Sequence, residues 1–192
     1  MEIFRADKLD FDPSFQMGLI FAEGFYQWLR YFAKDKEKLA RAFAHCFELE
    51  YFYAAVEDGE VMAIVGCVEK KPPPIKLDKK NLRRELGFFR GWLANWLLSV
   101  NIINKPYPFD MKPRTGSIEF VATSPKHRGK GVAYTLIKYV METMLFDNYV
   151  LEVVDNNQTA IGLYERLGFV EFKRVAAPKG SGVGYFVYMT TE

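Results

Sequence analysis

The stretch that most constrains this chain is residues 117–140, SIEFVATSPKHRGKGVAYTLIKYV. Strand-forming residues end near Thr123, Pro125 stops the strand, and Arg128-Gly129-Lys130-Gly131 opens a helix. The apolar face of that helix includes Val132, Leu136, Ile137 and Val140. The first turn of a helix carries amide hydrogens without partners and the positive end of the helix dipole. Glycines at 129 and 131 let an anion approach those amides closely, and Arg128 and Lys130 add positive charge. Such a turn suits a diphosphate. Two other phosphate loops do not fit. A Walker A loop requires Gly where Ser124 stands, and a dinucleotide fingerprint requires Gly where Tyr134 stands.

The rest of the chain supplies a sheet around this unit. Residues 1–5 read as a short strand. After Pro13, Met17, Ile20, Phe21, Gly24, Trp28 and Phe32 recur at helical steps, and a second helix is expected over residues 36–47. Two strand-like runs flank Asp58-Gly59, a tight-turn dipeptide, and predict a hairpin. Residues 70–84 contain Pro72, Pro73 and Pro74 with seven Lys or Arg and one Asp, and read as an exposed connection. A single helix is expected over residues 82–100, packed through Leu82, Leu86, Phe89, Leu93, Trp96 and Val100. Residues 104–115, with Pro106, Pro108 and Pro113, read as a loop. Strands at 117–123, 149–154, 169–175 and 184–190, with helices at 129–145 and 159–167, give a βαβαββ order and a mixed α/β sheet.

Composition narrows the function classes. Hydrophobic residues are 49% of the chain and aromatics 16%, enough to fill a core in 192 residues. The formal charge of +2 gives no general reason for a nucleic acid partner. Cys46 and Cys67 form no CxxC pair and read as buried thiols of a reducing compartment. The N-terminus lacks the basic-then-apolar order of a signal peptide, and no stretch is long and apolar enough to span a bilayer. A cytoplasmic protein without a membrane partner is therefore expected. No His, Cys and carboxylate group has metal-ligand spacing, so no metal is expected.

Arg128-Gly129-Lys130-Gly131-Val132-Ala133 resembles the R/Q-x-x-G-x-G/A signature of the GNAT superfamily of N-acetyltransferases. A second run, VVDNNQTAIGLYERLGFVEF, independently resembles that family's N-x-x-A-x-x-x-Y-x-x-x-G-F pattern through Asn157, Ala160, Tyr164, Gly168 and Phe169. The local physics agrees with it. Asn156 or Asn157 can cap the helix start, Ala160 and Tyr164 share a face, and Gly168 can end the helix.

The resemblance implies a GNAT fold. Its central sheet is mixed and mostly antiparallel, flanked by helices, in one domain over residues 1–192. A helical insertion at about residues 70–115 precedes the motif strand. It implies acetyl-CoA as the cofactor. The diphosphate would lie on the amides of Arg128, Gly129, Lys130, Gly131, Val132 and Ala133. The pantetheine arm would lie along a bulged strand at Val121, Ala122 and Thr123, with Asn157 and Ala160 beside it. It implies direct transfer of an acetyl group to a primary amine in a ternary complex, with Tyr164 protonating the departing thiolate. A tyrosine, with a pKa of about 10, holds its proton where a thiol of about 8.5 has begun to lose it.

The attacking amine must also lose a proton. Glu119, on the strand entering the glycine turn, is the expected acceptor. Alternation places its neighbours Ile118 and Phe120 on the opposite face. His127 lies in the phosphate turn and His45 on the second helix near an expected core face, so neither is expected to act as base. Cys46 and Cys67 lack an activating partner for an acyl-enzyme route. The acceptor is a small-molecule amine or a protein amino group. The insertion, with Phe88, Phe89, Trp92 and Trp96, would form a lid, meet a second subunit in a homodimer, or simply pack in the core. A non-catalytic coenzyme A-binding module and an unrelated α/β interaction protein are the competing readings.

Overall fold

The computed structural model describes residues 1–69 and 73–191. The part of the expected proline-rich connection at Lys70, Lys71 and Pro72 lies outside the described residues.

In chain order the elements are β1 (Glu2–Arg5), α1 (Ser14–Gly24), α2 (Tyr26–Leu29), α3 (Lys36–Phe43), β2 (Phe52–Glu57), β3 (Glu60–Val68), α4 (Lys79–Leu86) and α5 (Phe88–Leu98). They continue with β4 (Thr115–Thr123), α6 (Val132–Met144), β5 (Asn148–Val154), α7 (Gln158–Arg166), β6 (Val170–Ala176) and β7 (Tyr185–Thr190). The strands form one sheet in the order β1-β2-β3-β4-β5-β7-β6. β4 and β5 run parallel, and the other neighbouring pairs run antiparallel. This is the mixed, mostly antiparallel sheet that the resemblance implies, with the helical insertion between β3 and β4.

Each face of the sheet carries an apolar layer. On one face Met17 and Phe21 of α1, Leu39 and Phe43 of α3, and Phe52 and Ile64 of the hairpin are buried together. On the other, Leu136, Ile137 and Val140 of α6 pack with Val65, Ile118, Leu151, Phe169 and Val187. The hairpin turn follows its sequence signal, with Asp58 and Gly59 both at positive φ (50° and 75°). Asp35 and Asp78 cap α3 and α4 by accepting hydrogen bonds from backbone amides of the first turn.

Four expectations need correction. The helix predicted from Met17 through Phe32 breaks at Phe25, where φ is −109° and ψ 16°, giving α1 and α2. The helix predicted over residues 82–100 is two helices separated by Gly87, whose φ of 88° ends one and starts the next. The connection before it is not simply exposed. Pro73, Pro74 and Ile75 are buried, and Ile75 forms an isolated bridge with Phe47. His45 sits in a 3-10 turn, Ala44–Cys46, and faces solvent rather than core.

Candidate active site

The ladder between β4 and β5 runs only from Thr115 opposite Asn148 to Ile118 opposite Leu151. Beyond it, β4 continues through residues 119–123 and β5 through residues 152–154 without pairing to each other. The two strands thus diverge into a cleft. β4 is held from the far side, with Ala122 opposite Ile64 and Thr123 opposite Ala63 of β3.

A bulge creates the divergence. Ala122 faces Ile64, but Glu119 faces Gly66, so β4 carries one more residue than β3 over this interval. Phe120 occupies the extra position with φ of 50°. A non-glycine residue there costs roughly 1–3 kcal/mol and persists only where its surroundings hold it. Here the Phe120 ring is seated among Phe21, Phe25 and Phe52, with centroids 5.8, 6.0 and 6.4 Å away.

The bulge overturns the expected alternation. Ile118 belongs to the apolar layer beneath α6, whereas Phe120 belongs to the layer beneath α1. Val121 returns to the α6 side and Ala122 to the α1 side. Simple alternation puts Ile118 and Phe120 on one face, and one extra residue reverses every position after it. Val121, Ala122 and Thr123, the residues expected along the pantetheine arm, all lie in the part of β4 that does not pair with β5.

At the outer end of β4, Pro125–His127 forms a 3-10 turn, and Gly129 and Gly131 adopt φ of 73° and 79°. Gly131 is the residue that precedes α6. A Cβ built on either glycine meets nothing within 4 Å, and Arg128, Gly129, Lys130 and Gly131 are exposed. The mouth of α6 is therefore open to an anion rather than walled by side chains. Val132 is buried as the first apolar anchor of α6, and Ala133 is half-buried.

Arg128 departs from the simple expectation. Its Nε donates to the Thr123 carbonyl at 3.2 Å, and its guanidinium stands 3.9 Å from Glu23. The side chain ties the turn to the end of β4, while its backbone remains in the mouth. The His127 ring lies 3.5 Å from the Glu60 carboxylate.

On the other side of the cleft, Asn157 is the cap of α7, its side-chain oxygen accepting from the Ala160 amide at 3.2 Å. That settles the choice between Asn156 and Asn157, since Asn156 instead donates to the Gly182 carbonyl. The helix ends as its glycine predicts. The Phe169 amide donates to the Tyr164 carbonyl and the Gly168 amide to the Glu165 carbonyl, both at 3.0 Å, with Gly168 at φ 90°. This closure holds Tyr164 against Phe169, ring centroids 6.0 Å apart. Ala160 is half-buried on the same side of the helix.

Tyr164 is buried, and burial, reinforced by the negative charge of Glu119, pushes its hydroxyl well above the usual tyrosine pKa. Glu119 is not isolated. The Ser117 hydroxyl donates to its Oε1 at 2.6 Å and the Tyr107 hydroxyl at 2.7 Å. Burial and the Glu119 charge raise the Tyr107 hydroxyl strongly as well.

Tyr107 is the residue that sequence reasoning missed. It sits between Pro106 and Pro108 in a loop, and nothing local marks it as a partner of Glu119. Next to it, Lys105 pairs with Glu152 of β5 at 2.6 Å, beneath the ring of Phe186 at 3.9 Å. Cys46 and Cys67 are buried, and burial raises their thiols to about 11 and about 12, which removes them as ready nucleophiles.

The sequence pattern that defines the acetyltransferase (GNAT) family matches residues 19–169, most of the chain. The chain belongs to the GNAT family. Its relatives agree. N-alpha-acetyltransferase 30 of Dictyostelium discoideum is 31% identical over 136 residues, covering 67% of this chain and 71% of that protein. The Xenopus laevis protein of the same name is 40% identical over 65 residues, 32% of this chain but only 24% of that protein. The human one is 38% identical over a similar stretch, 18% of its length. The GNAT fold extends over nearly the whole chain. An N-acetyltransferase from Staphylococcus aureus superposes with a TM-score of 0.61 at 15% identity, covering 99% of this chain and 100% of that one. A histone acetyltransferase and related acetyltransferase from Corynebacterium glutamicum gives 0.63 at 20% identity, with 98% and 94% covered. Membership of the GNAT family implies that this protein binds a coenzyme A derivative.

Proposed function

We propose that this single-domain protein transfers an acetyl group from acetyl-CoA to a primary amine by direct attack, with Tyr164 as general acid and Glu119 as proton acceptor. The observations that support the reading are the open backbone at Gly129 and Gly131, the part of β4 left unpaired with β5, and the two hydroxyl donors on the Glu119 carboxylate. The bound coenzyme would supply an activated thioester. The residues supply the rest. Amides of residues 128–133 fit a diphosphate, and Arg128 keeps their turn anchored to β4. The strained bulge leaves backbone groups of Val121, Ala122 and Thr123 free of β5, in the position to hold an extended arm and to stabilise charge on a carbonyl oxygen. Glu119, with two hydroxyl donors holding its carboxylate, receives the proton of the attacking amine directly or through water. Tyr164, kept protonated by burial, delivers a proton to the sulfur as it leaves.

A protein N-terminal amine is the favoured acceptor class, supported by the likeness to a protein named as an N-alpha-acetyltransferase. It also suits the chemistry. An α-amino group has a pKa of about 7.7–8.0, against about 10.4 for a lysine, so a useful fraction is uncharged at neutral pH. A carboxylate then needs only to take a proton as the bond forms. Thiol release from acetyl-CoA, measured with peptides bearing free or blocked N-termini and with small amines, tests the proposal. Release that requires a free amine supports it. Tight coenzyme binding with no transfer to any acceptor would replace it with a binding module.

A further inference from the structure

The insertion between β3 and β4 carries an apolar face that the fold leaves uncovered. In α5 the buried positions are Gly91, Ala94 and Leu98, all small or at one edge. The large apolar residues point the other way. Phe88 is 63% exposed, Phe89 82%, Trp92 49%, Leu93 38%, Trp96 52% and, just past the helix, Val100 51%. At 100° per residue these six fall within one continuous arc of the helix, with no charged residue among them. The predicted packed stripe holds at Leu82 and Leu86, which are buried, and is corrected at Phe89, Leu93, Trp96 and Val100, as is the core-packing reading of the aromatics. The reason is visible at Gly91, where a Cβ would lie 2.5 Å from the Leu82 carbonyl. α4 crosses α5 on its small-residue side, and that close crossing turns the aromatics outward.

Charge brackets this face. The Arg83 guanidinium lies 4.7 Å above the Phe88 ring at one margin, and exposed Arg90 lies beyond Leu93 at the other. Lys79, Lys80 and Arg84 are exposed on α4. Residues 76–96 hold six basic residues, Lys76, Lys79, Lys80, Arg83, Arg84 and Arg90, against two acidic ones, Asp78 and Glu85. Trp92 and Trp96 stack at 6.4 Å with rings 5° from parallel.

We propose that α5 is an interfacial helix that seats the protein on the surface of an anionic phospholipid bilayer. An aromatic face flanked by arginines is a pattern that lies in the headgroup boundary, apolar side down and cations toward lipid phosphates. Self-association through the same face would bring two basic margins together, whereas a negative bilayer complements both. Among the described residues no helix is long and apolar enough to cross a membrane, so the contact is peripheral. It departs from the expectation of no membrane partner, and it does not depend on the catalytic reading.

Co-sedimentation of the full chain with vesicles tests it, comparing phosphatidylcholine alone with an equal mixture of phosphatidylcholine and phosphatidylglycerol. Binding to the mixed vesicles, weakened by salt and accompanied by a blue shift of tryptophan emission, is expected. Two of the three tryptophans are in the patch. Trp92→Ala with Trp96→Ala should weaken binding about ten-fold or more. Arg90→Glu should weaken it about five-fold or more, since each cation near the surface contributes about that factor. Unchanged coenzyme A binding by calorimetry establishes that the variants are folded. Equal binding to both vesicle types overturns the anionic assignment. No vesicle binding overturns the proposal, and a dimer that these same variants dissolve would identify a second copy as the occupant.

Discussion

The Tyr107 hydroxyl donates a 2.7 Å hydrogen bond to Oε1 of Glu119, so a residue of the insertion reaches the bulged strand at the end of the cleft. The insertion is therefore tied to the site and is not merely appended to the fold. Tyr107→Phe removes one donor while keeping the ring contacts with Phe109 and Tyr188. A hydrogen bond of roughly 1 kcal/mol net predicts a fall in kcat of about three- to ten-fold. The KM for acetyl-CoA should stay constant, because Tyr107 has no place in the diphosphate mouth. Steady-state kinetics check this, and an unchanged kcat would remove Tyr107 from the positioning of Glu119.

Tyr164→Phe should slow turnover at least about ten-fold, and up to the roughly 10²–10⁴-fold that a positioned general acid contributes, with little change in coenzyme affinity. Burial and the Glu119 charge both oppose formation of the phenolate, so the Tyr164 pKa lies above the ordinary 10. If Tyr164 is the acid, kcat should therefore not decline through its ionisation below about pH 10. A pH–rate profile with a descending limb near 8, lost in the phenylalanine variant, would contradict this.

Gly131→Ala places a side chain at φ 79° where space is open. The effect is backbone strain, not collision, at a cost of about 1–2 kcal/mol. The turn is expected to relax away from the geometry that presents its amides, lowering coenzyme A affinity more than thermal stability. Calorimetric titration beside a melting curve separates the two effects.

Asn157→Ala deletes the α7 cap on the Ala160 amide. The expected loss is about 1 kcal/mol, seen as a fall in Tm of roughly 2–4 °C for a chain of this size. Asn157→Ser should recover most of it.

Alkali should destabilise the fold through its buried thiols and phenol. Burial raises Cys46 to about 11 and Cys67 to about 12, above the ordinary thiol value. Burial first, then hydrogen bonding and nearby charge, also raises buried Tyr188. Groups with raised folded-state values bind more protons in the native state than in the unfolded one. Their stabilisation is complete below the unfolded value and is lost as pH rises toward the folded one. The melting temperature should hold near neutrality and decline from about pH 9 upward. Replacing Cys67 with Ala should shift that decline to higher pH.

How much of this was legible in the sequence follows from the range of each signal. The glycine turn, the α7 cap and the Gly168 closure are set by residues within a few positions of each other, and local chemistry found them. The hairpin at Asp58-Gly59 was equally local. The helix breaks at Phe25 and Gly87 escaped because apolar periodicity continues across both. The direction of Phe88, Phe89, Trp92 and Trp96 depends on α4 crossing at Gly91, which periodicity within one helix does not encode. Phe120 was misassigned because a bulge arises from the match between β4 and β3, not from the β4 sequence alone. Tyr107 meets Ser117 and Glu119 only once the loop has folded back over the sheet, and no local pattern announces such a contact.

The measurement closest to the central claim is an amide-resolved NMR titration with coenzyme A. Saturable binding with the largest shifts at residues 129–133, followed by Val121, Ala122 and Thr123, is the predicted result. Absence of saturable shifts, or shifts confined to other parts of the sheet, would contradict the claim that the mouth of α6 receives the coenzyme diphosphate.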